Sequence, residues 1–131
     1  MMMLAQFQPQ PFSRQYRLTK TDEFSSVFGF RRALRGKNFL LHYGESRPAG
    51  TSASHARLGV VIGKKFLRGA VGRNCLKRIA RETFRLARSR LPARDLVLRL
   101  SVKMQKPKRQ VRLEIAAEIR QLLAKIQEKR P

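Results

Sequence analysis

An α+β fold, a two-layer sandwich of helices on a small sheet in the order α-β-β-β-α-β-α, is the class this sequence predicts. Three features point to it: β-prone runs at residues 38–43, 57–62 and 95–102, apolar helical spacings at 71–91 and 111–126, and one helix held between two strands. The 131 residues suit one domain, and 42% hydrophobic content is enough for one modest core.

Residues 1–15 carry methionine, glutamine and proline with no clear period, which predicts a loose tail ahead of a single domain over 16–131. Thr19 or Thr21 can then cap a first helix. Asp22 and Glu23 stand in its first turn, where acids suit the positive helix end, and Phe24, Val27 and Phe28 recur at helical spacing before a stop near Gly29. A short strand is expected at 33–35. Strands at 38–43 and 57–62 flank a segment at 44–55 rich in Ser, Gly, Ala and Pro, read as a flexible loop.

The clearest period lies between residues 71 and 91. At 100° per residue, Cys75, Leu76, Ile79, Ala80, Thr83, Leu86 and Ala87 fall on one side, with Phe84 at the seam. Arg73, Lys77, Arg78, Arg81, Arg85 and Arg88 fall on the other, so the polar face is almost purely cationic. Pro92 ends this helix. The largely apolar strand at 95–102 is expected at the centre of its sheet, giving a βαβ unit. After Pro107, Val111, Ile115, Ile119, Leu122 and Ile126 form the stripe of a last helix, with Glu114 and Glu118 on its exposed side.

Thirty Lys and Arg against 8 Asp and Glu give a formal charge of +22, which repels itself unless a polyanion lies against it. No apolar run approaches the roughly 18 residues of a spanning helix, and the first residues lack the pattern of a signal peptide, so no membrane partner and a cytoplasmic location are expected. Cys75 is the only cysteine, which excludes an internal disulfide and a multi-cysteine zinc site. His42 and His55 stand apart at no metal-motif spacing. Gly63, Lys64 and Lys65 lack the Lys-Ser or Lys-Thr ending of a nucleotide loop, so no small-molecule substrate is expected.

The acids suit structural tasks, with Glu82 placed to pair with Arg78 or Arg85. No catalytic set and no metal site assemble from these residues. What remains is a cluster of eleven Lys and Arg between Arg57 and Arg90 against the single acid Glu82. Ranged along one side of one helix, such charges repel each other without a ligand, and nucleic acid is the ligand they suit. Arg73 and Asn74 add a guanidinium fork and an amide beside the helix N-terminus, a combination suited to phosphates.

Gly63-Lys-Lys65 followed by Arg73-Asn-Cys-Leu-Lys-Arg-Ile-Ala-Arg-Glu-Thr-Phe-Arg85 closely resembles the signature of the bacterial ribonuclease P protein, Arg-Asn-Arg-x-Lys-Arg-x-x-Arg-Glu-x-x-Arg. Every fixed position matches except the third, where Cys75 replaces arginine. The similarity extends to Leu18 through Phe28, Arg57-Leu-Gly59 and Leu91 through Leu98, and covers about residues 16 to 125.

The resemblance implies a left-handed βαβ crossover, against the general right-handed preference. It implies a subunit of ribonuclease P, an endoribonuclease of tRNA 5′ maturation whose chemistry is carried by a catalytic RNA subunit with Mg²⁺ bound mainly by that RNA. The protein's part is then to bind the catalytic RNA through Arg73, Asn74, Lys77, Arg78, Arg81 and Arg85, and the single-stranded 5′ leader of precursor tRNA in a cleft. Phe24, Phe28 and His42 are expected as cleft residues, and Arg57, Lys64 and Lys65 as leader or backbone contacts. The phenylalanines suit a hydrophobic core equally well, and His42 suits ordinary strand packing. A structural RNA-binding protein such as a ribosomal component would share the charge but not the cleft, and a self-sufficient nuclease would need the catalytic set that is missing.

Overall fold

The computed structural model describes residues 17–18, 21–44 and 55–128. The predicted tail at 1–15, a Thr19 cap and the loop interior at 45–54 lie outside the described residues. Seven elements appear in the predicted order: α1 (Thr21–Gly29), β1 (Arg32–Arg35), β2 (Phe39–Tyr43), β3 (Arg57–Val61), α2 (Ala70–Ala87), β4 (Asp95–Leu100) and α3 (Arg109–Glu128). A 3-10 turn over Arg88–Arg90 closes α2 ahead of Pro92.

The sheet runs β1-β2-β4-β3. β1 pairs with β2 and β2 with β4 antiparallel, whereas β3 and β4 are parallel, with Leu58 opposite Leu96 and Val60 opposite Leu98. Parallel neighbours need a crossover connection, and α2 supplies it. The central place of β4 follows from its text: Leu96, Val97, Leu98 and Leu100 are all buried, so no residue of the run from 96 to 98 faces water.

Alternation sorts the sheet into two faces. Phe39, Leu41, Leu58, Leu96, Leu98 and Leu100 point to the side covered by α2 and α3, where they meet Leu76, Phe84, Ile115 and Ile119. Val97, on the opposite face, meets Leu18 and Val27, with Phe24 and Val61 alongside. α1 therefore packs on the outer face. Leu18 N donates to Leu58 O at 3.1 Å, so the chain reaches α1 along the edge of β3. Beyond α1, Arg31 adopts φ 58, a left-handed turn that swings the chain into β1.

Two predicted stripes are corrected in detail. On α2, Phe84 is fully buried, not seamed, while Leu86 is 64% exposed. The packed arc is centred on Leu76, Ala80, Thr83 and Phe84, rotated toward the larger aromatic surface. On α3, Val111 is 38% exposed, and Leu123 joins the buried row instead. The strands also end earlier than predicted, at Val61 and Leu100.

Candidate nucleic-acid interface

On the outer face, strand pairing aligns Ala33, His42, Val97 and Gly59 in one row, and Arg35, Leu40, Arg99 and Val61 in the next. α1 crosses the first row. Gly59 makes room for it: a Cβ there would lie 2.5 Å from Phe24 Cε1. Phe24 is accordingly half-buried against the sheet. Val27 is buried over Val97. Phe28, one turn on, is 37% exposed and meets the His42 ring edge-on at 4.8 Å and 79°. The two phenylalanines thus divide the tasks that the sequence left open, Phe24 leaning on the core and Phe28 presenting a ring to solvent.

Arg99 Nε donates to His42 Nε2 at 3.3 Å, which requires an imidazole with a free lone pair at that nitrogen. Burial and then the Arg99 charge push the His42 pKa below its ordinary 6.5, so the ring is neutral at pH 7. A neutral imidazole accepting at Nε2 carries its proton on Nδ1, which is the donor it offers to a partner.

Arg57 stands apart from the other expected leader contacts. Its Nε and Nη2 grip Asp95 at 2.8 and 2.7 Å, and its Nη1 reaches Glu23 at 2.7 Å. The hydrogen bonding it donates to Asp95 leads the causes that raise its pKa. Arg57 is an internal tie between the starts of β3, β4 and α1, so it positions α1 over the sheet. Glu23, read from sequence as a helix-start acid, is also the anchor of that tie.

Lys64 and Lys65 are exposed in the turn after β3, which Gly63 closes by accepting from Phe66 N and Leu67 N, both at 3.1 Å. Lys65 Nζ lies 5.4 Å above the Phe66 ring. Gly69, at φ 90, begins α2 without a side-chain cap or a first-turn acid. Arg73 Nη1 donates to Leu67 O at 3.1 Å, tying the lysine turn to the helix start. Asn74 and Arg78 are exposed, while Arg73, Lys77 and Arg81 are half-buried along the flank beside Phe84. Arg85 pairs with Glu82, which holds that carboxyl below its usual range. Burial and then the nearby Arg17 charge push the Arg81 pKa down. Like charges are thus held close along this flank. Cys75 is half-buried on the same helix.

Sequence reasoning missed Arg17, Arg99, Asp95 and Glu118. Glu118, expected on an exposed face, instead accepts from Asn38 N at 2.8 Å, Asn38 Nδ2 at 2.9 Å and Phe39 N at 2.9 Å, clamping the β1–β2 turn to α3. Its place beside the Ile115 and Ile119 stripe was the available signal. Arg99 shows itself in the sequence only as a lone cation in an apolar strand.

Among the described residues no group of three or more His, Cys, Asp or Glu is placed to hold a metal ion. Asp95 and Glu23 are both committed to Arg57. The donor set does not fit a protein-held Mg²⁺. No helix among the described residues is long and apolar enough to cross a membrane.

Fold and surface together define a small, strongly basic α+β protein with a cationic crossover helix and an open aromatic patch on the opposite side of its sheet. The ribonuclease P family model matches residues 12–127. Over 89 residues the chain is 58% identical to the ribonuclease P protein component of Azoarcus sp., covering 68% of this chain and 70% of that one. It is 56% identical over 93 residues to the same component of Aromatoleum aromaticum, covering 71% and 74%. The ribonuclease P protein from Staphylococcus aureus superposes with a TM-score of 0.66 at 22% identity, over 90% of this chain and 94% of that one, which shows a shared fold. The chain belongs to the ribonuclease P protein family, whose members are protein components of a tRNA-processing endoribonuclease.

Proposed function

We propose that this chain binds the catalytic RNA of ribonuclease P through the cationic flank of α2 and receives the single-stranded 5′ leader of precursor tRNA on the outer face of the sheet. Binding the leader raises affinity for precursor over mature tRNA, and neutralising phosphates supports the RNA core. Phosphodiester hydrolysis, which leaves the mature 5′ end, belongs to the RNA with its Mg²⁺, and the work is done in the cytoplasm.

The observation that carries this reading is the flank itself. Arg73, Lys77 and Arg81 are held half-buried on one line, and Arg81 is pressed by Arg17. Phosphates relieve that repulsion, and the counterions they release make the affinity fall steeply with salt. The Phe28 ring and the Nδ1 donor of His42 suit a single strand, since an aromatic face stacks on any base for roughly 1–3 kcal/mol.

Replacing Arg73, Lys77 and Arg81 together by Ala is expected to weaken association with the catalytic RNA and flatten the plot of log affinity against log salt. An unchanged slope overturns the assignment. Phe28→Ala is expected to reduce the preference for leader-bearing over leaderless RNA, and a preserved preference would favour a general RNA-binding role. Purified protein with Mg²⁺ and no RNA subunit is expected to leave precursor tRNA intact.

A further inference from the structure

We propose that Arg99 and Arg35 form a second nucleotide subsite on the outer sheet face, one row beyond the Phe28–His42 patch, where a single-stranded RNA places a phosphate on the two guanidinium groups and a base against Leu40 and Phe66. The inference rests on the leader-binding reading above and extends its track by a nucleotide.

α1 covers the row of His42 and Gly59, and Val61 at the end of the next row packs against the same cluster, which leaves Arg35, Leu40 and Arg99 of that row uncovered. A cavity of about 420 Å³ occupies that end of the face, lined by Arg35, Leu40, Phe66, Arg99 and Ser101 among others, with no acid in its wall. The volume falls in the range of small-ligand pockets, roughly 300–1,000 Å³. The charge of the wall selects an anion.

Arg99 is suited to bridge the two rows. Its Nε is engaged by His42, which fixes the plane of the guanidinium and leaves both Nη groups for another acceptor. Neither Arg99 nor Arg35 forms an ion pair with an acid of the described residues. Leu40 and Phe66 supply apolar surface on the same wall, so one cavity offers both halves of a nucleotide their natural neighbours. A free mononucleotide would gain only this one subsite, whereas a strand already lying over Phe28 and His42 arrives with the next phosphate attached.

The test uses ribonuclease P reconstituted from this chain and a cognate catalytic RNA, with precursor tRNAs carrying leaders of increasing length. Wild-type affinity is expected to rise stepwise with length, and Arg99→Gln to erase one late step, about tenfold, beyond any change at the shortest leaders that loss of its bond to His42 brings. The salt slope on long leaders is expected to fall by about one. Arg35→Gln, at an exposed edge position, is expected to reduce the same step without touching the fold, and Arg99→Lys to restore part of it. If Phe28→Ala removes leader preference while both arginine variants keep the wild-type length profile, the subsite is overturned and the function stands. If none of the variants alters leader dependence, the leader reading fails and takes the subsite with it.

Discussion

His42 shows how one side chain is set by its neighbours. Depression of its pKa by burial and by Arg99 means that the unfolded chain binds the proton more readily than the folded one. Stability from this site is therefore present above the ordinary value of 6.5 and is lost as pH falls through the lower folded value. NMR titration of the ring is expected to give a midpoint below 6.5, moved upward by Arg99→Gln, which removes both the repelling charge and the Nε donor. A midpoint unmoved by that substitution would contradict the contact. Glu118 is the other residue whose surroundings decide its task. Glu118→Ala strands two backbone N–H groups and an amide that are partly shielded from water. A loss of about 1–3 kcal/mol in urea denaturation is expected, where an exposed helical glutamate would show almost none.

Docking of α1 depends on the absence of a side chain at Gly59. Gly59→Ala places a methyl within 2.6 Å of two Phe24 ring carbons, and the ring has to leave its seat. Overpacking of this kind costs about 1–3 kcal/mol, and because Phe28 rides on the same helix, leader preference is expected to fall with it in binding assays. Stability loss with leader preference retained would separate the helix from the cleft. At this scale the sequence was partly legible. The period of α2 announced an amphipathic helix, yet its rotation was misjudged: Leu86 and Phe84 exchanged places because the angular pattern weighs both alike. Only the partner helix α3 and the sheet decide which arc has a surface to pack on. The Val111 position failed for a similar reason, since a stripe extends as far as its spacing but burial extends only as far as the sheet beneath it.

Charge governs the whole molecule. With +22 on 131 residues, the free protein folds against its own repulsion. On α2 alone the successive pairs Arg73–Lys77, Lys77–Arg81 and Arg81–Arg85 each oppose the helix by about 0.2–0.5 kcal/mol. Raising salt from 0.1 to 1 M shortens the screening length from about 10 to about 3 Å. The melting temperature of the free protein is therefore expected to rise by about 2–6 °C over that range, measured by circular dichroism. A flat or falling curve would mean that internal ion pairs outweigh the cationic flank.

Class, order of elements and the cationic helix all follow from the amino-acid text, because hydrophobic period and net charge are local properties carried by composition and spacing. That text also placed Arg73 through Arg85 on one helix, whose geometry is known in advance. The relations between elements come from the assembled fold. Arg57 became a tie because Asp95 is its strand partner and Glu23 begins the helix above them. Phe24 and Phe28 parted company because one meets Gly59 and the other His42. Arg99 came to lie against His42 because strand β4 enters between β2 and β3, bringing residues 57 positions apart into contact. Such pairings depend on register and on which face a neighbour covers, and neither is written in the spacing of a single segment.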